Sequence, residues 1–299
     1  MKDRLYGIVP PMTTPFDKSG EVIESAVREQ VDFLIEAGVH GIVAGGSNGE
    51  GHTFDRDGYA GLIETASSAV RGRVPFIAGV IVNSTREAIE RGVLLKGMNV
   101  AALQVTPVHY LFKPDDTATL EHFRAVAEET ALPILIYNVI PWNYLSPALL
   151  LRIMREVPGV VGVKQSAGDL KLLSDLLEQA RPDDLIFSAI DALLYPSYAL
   201  GAQGSIAAML AAVPHANVAL WDAVKARDFD AALELHKRLL PLWNAIVGDN
   251  LPACVKYAQS LQGCAAFLPR APMPQPNERQ KAAIRAALEG LSIKIKTAA

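Results

Sequence analysis

Short apolar runs alternate along the chain with longer stretches whose apolar residues recur at helical spacing, and this alternation limits the available folds. The short runs are rich in Val, Ile and Leu and lack polar alternation. Strands buried on both faces of a parallel sheet have this composition. The predicted strands cover residues 5–10, 41–44, 76–80, 101–105, 133–137, 160–164, 185–188 and 205–208.

The stretches between these strands predict helices. They cover residues 23–37, 56–70, 84–96, 115–130, 147–155 and 170–179. Eight strands with intervening helices favour an α/β fold, a (β/α)8 TIM barrel, over an open sheet. After about Asp228 no strand pattern returns, and helices are predicted at 229–246, 252–262 and 278–291. We therefore predict a catalytic barrel over residues 1–228 and a small C-terminal helical extension over 229–299.

Composition narrows the functional classes. The net charge of −4 and the pI near 5.9 argue against a nucleic-acid or anionic-membrane partner, because both favour a basic face. Cys254 and Cys264 form no CxxC motif, and no HxH or HExxH pair occurs, so neither a disulfide scaffold nor a metal site is indicated. The first residues contain too short an apolar run for a signal peptide. We expect a soluble, cytoplasmic protein.

Residues at the carboxyl ends of barrel strands face the active site, and two such residues can carry chemistry. Lys164 ends the run GVVGVK. It is either an ordinary surface lysine or a buried amine, whose neutral form, favoured by desolvation, attacks a ketone. Tyr137 ends LPILIY. It is either a core tyrosine or a group that passes protons to a carbinolamine on the neighbouring strand.

Two glycine-rich turns follow predicted strands. The first, residues 45–50, contains Ser47, a possible proton relay, and such a turn offers free backbone N–H groups to a carboxylate. The second, residues 201–206, includes Gly204 in the part of a barrel that often binds anions. A purely structural turn explains either pattern equally well. Asp191, after the seventh strand, is either a helix cap or a substrate contact.

Taken together, these motifs resemble the dihydrodipicolinate synthase and N-acetylneuraminate lyase superfamily of class I aldolases. The resemblance covers nearly the whole chain. Each motif is weak alone, and their order and spacing make the set specific. The motifs are GIVPPMTTPF at 7–16, GSNGE at 46–50, VTP at 105–107, YNV at 137–139, GVKQSAGD at 162–169 and GAQGSI at 201–206.

The resemblance implies a role for each matching residue. Lys164 corresponds to the Schiff-base lysine and Tyr137 to the tyrosine that handles protons. Ser47 and Asn48 correspond to the small polar pair beside the substrate carboxylate, with Asn48 in place of the usual threonine. The backbone of Ile206 corresponds to the segment along the bound 2-oxo acid. Tyr110 corresponds to a tyrosine that reaches a neighbouring subunit's site, which implies a homo-oligomer, a dimer or a tetramer.

Two departures from the family pattern leave the second substrate open. The segment YNVIPWNYLSP has Trp142 and Asn143 where synthases carry an arginine for the carboxylate of the aldehyde, and SAID at 188–191 replaces a glycine followed by two aspartates. Neither Trp142 nor Asn143 can form the paired, charged hydrogen bonds that an arginine makes to a carboxylate. The large ring of Trp142 would instead favour an apolar or aromatic aldehyde, which can stack on it.

The leading hypothesis is a lyase that forms a Schiff base with pyruvate or a related 2-oxo acid and then makes or cleaves a C–C bond between that acid and an aldehyde. The protonated imine is the electron sink, so no cofactor is required. The alternatives are 4-hydroxy-tetrahydrodipicolinate (dihydrodipicolinate) synthase proper, a 4-hydroxy-2-oxoglutarate aldolase-like enzyme, a catalytically idle 2-oxo-acid-binding protein and a metal-dependent barrel hydrolase.

Overall fold

Eight parallel strands form one sheet that closes on itself. In this computed structural model, which describes residues 5–296, the strand order is β1-β8-β7-β6-β5-β4-β3-β2. The Met12 N–H donates to the Val43 carbonyl (2.9 Å) and joins the two ends of the sheet. The predicted TIM barrel is confirmed. The strands are β1 Gly7–Ile8, β2 Ile42–Ala44, β3 Phe76–Val80, β4 Ala102–Val105, β5 Ile134–Asn138, β6 Val160–Gln165, β7 Leu185–Ser188 and β8 Gly204–Ser205.

Helices surround the barrel and form the C-terminal extension. All nine predicted helices are present, with ends within two residues of the prediction. The segment between β7 and the extension contains three further helices, α7 to α9, which its nearly uniform apolar composition did not resolve. The helices are α1 Glu24–Glu36, α2 Arg56–Val70, α3 Thr85–Leu94, α4 Asp116–Thr130, α5 Pro147–Glu156, α6 Leu170–Gln179, α7 Leu194–Ala199, α8 Met209–Ala212, α9 Pro214–Lys225, α10 Phe229–Ile246, α11 Leu251–Ser260 and α12 Glu278–Gly290.

Side-chain caps fix the starts of several barrel helices. The carboxylate of Asp115 accepts the Ala118 N–H (2.7 Å) at the start of α4. Ser146 caps α5 in the same way, and Pro147 occupies the first helical position, where its missing N–H costs nothing. These caps lie at the boundary between each βα loop and its helix, so they also define where the loops above the barrel end.

The eighth strand is shorter than predicted and ends at Ser205 instead of residue 208. The Ile206 N–H still donates to the Ser188 carbonyl (2.9 Å), but the chain then leaves the sheet. The carboxylate of Asp191 accepts the Met209 N–H (2.6 Å) and turns the chain into α8. A side chain outside the strand therefore decides where the strand stops, which local sequence composition does not reveal.

The alternation of side chains along the strands creates two apolar layers. The inner layer fills the barrel and contains Val43, Leu135, Phe187 and Ile206, and the outer layer lies between sheet and helices. Leu135 points inward, so Tyr137, two residues further along β5, also points inward. Apolar side chains fill both layers below the carboxyl ends of the strands. The inward-pointing polar side chains, such as Tyr137 and Lys164, lie at those carboxyl ends.

A buried ion pair joins the extension to the barrel. Lys256 Nζ of α11 lies 2.6 Å from Glu50 Oε1, and the second carboxylate oxygen accepts the Arg270 N–H (2.8 Å). Burial lowers the pKa of Lys256 to about 8, although the charge of Glu50 opposes this shift. The predicted boundary at residue 228 falls immediately before α10 and stays a prediction. None of the described helices is long and apolar enough to cross a membrane.

Candidate active site

A cavity of about 320 Å³ opens at the carboxyl ends of the strands. Lys164, Tyr137 and Ser47 lie at its base, and Ile206 lines one side. A larger groove of about 710 Å³ lies between α10 and α12, away from the strand ends, and no nucleophile with an adjacent acid or base lines it. The smaller cavity is therefore the candidate active site.

Lys164 is buried beside the ring of Tyr137. Its side chain is 4% exposed, and Nζ lies 3.8 Å from the centroid of the Tyr137 ring. The two residues are direct partners in the pairing of β5 with β6, so their side chains leave the sheet at the same level. An amine held against an aromatic face, with a cavity above it, is positioned to meet a carbonyl carbon.

A hydroxyl pair extends from this lysine across the barrel. Tyr137 Oη lies 3.2 Å from Ser47 Oγ, and either atom can donate. Lys164 and Tyr137 meet through the pairing of β6 with β5, whereas Ser47, from the loop after β2, reaches Tyr137 only because the sheet curls into a barrel. This arrangement places a hydrogen-bonded phenol and hydroxyl beside the amine, and a proton can move between the two oxygens.

The loop after β2 presents backbone N–H groups to the cavity. Gly45 has φ +70°, and a Cβ on Gly79 of β3 would lie 2.6 Å from the Gly46 nitrogen, so the loop lies directly on the sheet. The N–H groups of Gly49 and Glu50 are used inside the loop. Within residues 5–296, the N–H groups of Ser47 and Asn48 donate to no other group. Two adjacent free N–H groups suit a carboxylate.

Asn48, in the same loop, lines the cavity with its side chain. Its Nδ2 donates to the Pro11 carbonyl (2.6 Å), while its buried Oδ1 has no partner among the described residues. The side chain therefore fixes the loop against the segment after β1. An amide in this place cannot donate and accept through one atom as a hydroxyl can, so Asn48 is suited to hold the loop and the substrate in position.

Asp191 is a buried acid on the opposite wall. Burial raises its pKa to about 6, against the N–H groups of Met209 and Ala208 and the charge of Lys164, which lower it. Its carboxylate both accepts the Met209 N–H and lines the cavity. The two interpretations of Asp191 in the sequence, a backbone anchor and a cavity residue, are therefore both compatible with its position.

The remaining predicted site residues lie outside the cavity. Gly204 is in β8, where a Cβ would lie 2.1 Å from the Gly7 carbonyl oxygen, so its visible role is the close approach of β1 and β8. Tyr110 and Trp142 are 66% and 64% exposed. The Trp142 Nε1–H donates to the His109 carbonyl (2.8 Å), which holds the indole against the neighbouring loop instead of above Lys164.

Nine residues that line the cavity are not among the predicted site residues: Pro11, Val139, Ser166, Ala189, Ile190, Ala207, Ala208, Trp243 and Leu251. Val139 and Ser166 follow the ends of β5 and β6, in segments that the position of the predicted strand ends already places at the active-site face. Ile190 precedes Asp191 in the loop after β7. Trp243 and Leu251 come from α10 and α11, and only the packing of the extension over the barrel brings them to the cavity.

Comparison with known proteins identifies similar chains. The model of the dihydrodipicolinate synthetase family matches residues 4–291. A 4-hydroxy-tetrahydrodipicolinate synthase of Methanopyrus kandleri is 34% identical, with 97% of each chain covered. One of Geotalea uraniireducens is 36% identical, covering 93% of this chain and 97% of the relative. The crystal structure of dihydrodipicolinate synthase from Aquifex aeolicus has a TM-score of 0.91 at 27% identity, covering 98% of this chain and all of that one.

The raised pKa of Asp191 makes stability depend on pH. Between pH 3.8 and about 6 the folded protein holds the Asp191 proton more tightly than the unfolded chain, so this group's contribution to stability is lost as the pH rises through that window. Because one pKa unit corresponds to about 1.4 kcal/mol, the wild type should lose roughly 2–3 kcal/mol relative to Asp191→Asn between pH 4 and pH 7. Denaturant unfolding of both proteins at several pH values measures this difference.

Asp183→Asn provides the matched control, because Asp183 is exposed. The free energy of unfolding of Asp183→Asn should change with pH in the same way as that of the wild type over this range. Parallel pH profiles for the wild type and Asp191→Asn would contradict the assignment of a raised pKa to Asp191.

Proposed function

The chain belongs to the dihydrodipicolinate synthetase family, and we propose that Lys164 carries its chemistry. The protein is a lyase of the class I aldolase type, which forms a Schiff base with pyruvate or a related 2-oxo acid and makes or cleaves a C–C bond with an aldehyde. The observation that carries the assignment of Lys164 is a buried amine at the base of the cavity, 3.8 Å from the centroid of the Tyr137 ring.

Each step of imine formation has a group of this chain beside it. The neutral amine of Lys164 attacks the ketone carbon, and a C–N bond forms while the oxygen takes a proton from Tyr137. Loss of that oxygen as water gives the protonated imine, and loss of a proton from the adjacent carbon gives the enamine. Ser47 Oγ, 3.2 Å from Tyr137 Oη, returns protons to the phenol.

The substrate carboxylate has a separate binding place. The free N–H groups of Ser47 and Asn48 support binding of its oxygens, and Ile206, directly after β8, borders the 2-oxo acid. This placement directs the ketone carbon toward Lys164 without using the amine to hold the negative charge. Asp191, on the other wall, then serves as the anionic neighbour of the positively charged imine.

A second candidate is 4-hydroxy-tetrahydrodipicolinate synthase itself, the activity named for curated relatives at 34% and 36% identity. It shares the imine chemistry and differs in the aldehyde.

The division into a catalytic barrel at 1–228 and a helical extension at 229–299 is also part of the proposal. So is a cytoplasmic location, supported by the free thiols of Cys254 and Cys264 and testable by cell fractionation.

Borohydride reduction in the presence of pyruvate should trap a covalent adduct on Lys164. Reduction converts the imine to a stable secondary amine, so intact-mass and peptide mass spectrometry locate it. Lys164→Ala should give no adduct. Lys256, the other buried lysine described here, is ion-paired with Glu50 and should remain unmodified. An unmodified Lys164, or equal trapping in Lys164→Ala, would overturn the assignment.

Tyr137→Phe should slow imine formation about 10²–10⁴-fold, the usual contribution of a positioned acid or base. The ring stays, so packing against Lys164 is retained while the proton is lost. Stopped-flow measurement of imine formation with pyruvate tests this. Tyr195→Phe, in α7 outside the cavity lining, is the control and should react like the wild type. A Tyr137→Phe rate within twofold of the wild type would assign Tyr137 to packing alone.

An exposed apolar patch supports assembly into a homo-oligomer, a dimer or a tetramer. Tyr110, Leu111 and Phe112 are 66%, 72% and 80% exposed in the loop after β4, and Trp142 lies beside this loop through its bond to His109. We expect Tyr110 to contribute to a neighbouring subunit's site. Sedimentation velocity should show an oligomer that Leu111→Ser with Phe112→Ser dissociates, whereas Leu200→Ser, at another exposed leucine, should not. A fully active wild-type monomer would contradict this.

A further inference from the structure

Apart from Lys164 and Asp191 the lining of the cavity is uncharged, and its apolar surface includes Val139, Ile190, Trp243 and Leu251, from which we infer that the aldehyde partner is uncharged and carries an apolar or aromatic side chain. This inference rests on the proposed imine at Lys164 and goes beyond it by naming the class of acceptor. The residues that carry it are Val139, Ser166, Ile190, Trp243 and Leu251.

The position of these residues follows from the strand direction. Val139 and Ser166 directly follow the last residues of β5 and β6, so they lie where the chain leaves the carboxyl ends of these strands, on the mouth side of Tyr137 and Lys164. All five are partly buried, which is what a surface covered by substrate requires. The side chain of an aldehyde that approaches the enamine from the mouth of the cavity therefore contacts these five residues.

The charges around the cavity exclude a favourable place for a second carboxylate. Among the side chains that line it, only Lys164 and Asp191 are charged. Lys164 is consumed by the imine, and Asp191 repels an anion. Arg56, the first residue of α2, and Lys113, in the loop after β4, are exposed and do not line the cavity of their own subunit. A negatively charged aldehyde would enter without a cationic partner, whereas a neutral one has no such need.

Ser166 supplies the one polar group that a neutral aldehyde needs beside this apolar surface. Its Oγ is buried and has no hydrogen-bond partner among the described residues, and the residue lines the cavity. A buried hydroxyl without a partner is unfavourable, so a ligand oxygen that accepts its proton is favoured there. Ser166 is placed to hold the aldehyde oxygen while the apolar surfaces receive the rest of the molecule.

The reaction balances without a further reactant. The enamine carbon attacks the aldehyde carbon and forms the new C–C bond, and the aldehyde oxygen takes a proton from Tyr137. Water then attacks the resulting imine, the C–N bond to Lys164 breaks, and the amine is regenerated. Pyruvate and an aldehyde thus give a 4-hydroxy-2-oxo acid. The reverse reaction cleaves that acid into pyruvate and the aldehyde.

The first experiment compares acceptors with pyruvate as the common donor. We expect kcat/KM for butanal and benzaldehyde to exceed that for aspartate semialdehyde by at least about tenfold, because a carboxylate without a charge-assisted bond loses one to two decades. Each methylene buried at the rim should add about fourfold. Pyruvate consumption and product mass spectrometry measure all three reactions under the same conditions.

Two variants test the residues. Ile190→Arg introduces a cation and should raise kcat/KM for aspartate semialdehyde relative to benzaldehyde at least tenfold, whereas Ile190→Leu keeps the apolar surface and should retain the original preference. Trp243→Ala should lower kcat/KM for benzaldehyde more than for butanal, since it removes the aromatic surface. Phe229→Ala, an exposed aromatic residue on the same helix, should leave that ratio unchanged.

The outcomes separate this inference from the function on which it rests. Absence of a borohydride-trapped adduct on Lys164 would refute the imine and this inference together. With the adduct present, equal or better turnover of aspartate semialdehyde would refute only the acceptor class. Failure of both neutral aldehydes to react with a normally formed imine would also refute it. A neutral preference that Ile190→Arg fails to shift would remove Ile190 from the acceptor surface and count against the inference.

Discussion

The buried ion pair between Glu50 and Lys256 is the interaction on which the geometry of the cavity depends. Glu50 ends the loop that carries Ser47 and Asn48, and Lys256 belongs to the helix that begins at Leu251. Removing one partner of such a pair leaves a buried uncompensated charge, which costs about 3–5 kcal/mol, whereas the intact pair contributes little net stability. The ion pair therefore acts mainly on position, because it holds the loop that carries Ser47 and Asn48 and the helix that begins at Leu251 in a fixed relation to each other.

The chemical groups at the base of the cavity owe their proximity to strand pairing and to barrel closure. Lys164 and Tyr137 meet through strand register, and Ser47 reaches Tyr137 from the far side of the ring of strands. Asp191 adds a buried acid whose raised pKa reflects the same enclosed environment. A site of this kind is rigid at its base, since each side chain leaves from the end of a strand or from a loop bonded to one.

The sequence predicted the base of the site better than its rim, for a physical reason. Strand ends are visible as breaks in apolar runs, and alternation then orients Lys164 and Tyr137 inward. Trp142 was expected near the aldehyde because it stands where the resemblance places an arginine of the synthases, but the bond of its indole N–H to the His109 carbonyl holds it outside the cavity. The tryptophan that does line the cavity, Trp243, lies about a hundred residues further along, and only tertiary packing brings it there.

This division between base and rim would allow a chain that shares about a third of its residues with named synthases to take the different second substrate inferred above. The imine chemistry requires an amine, a phenol and free N–H groups at fixed places in the barrel, so it tolerates little change. The acceptor surface inferred above is formed by side chains such as Ile190 and Leu251, which come from a loop and from the extension. A single charge gained or lost among them alters the preference for an anionic aldehyde while the lysine, the tyrosine and the fold remain the same.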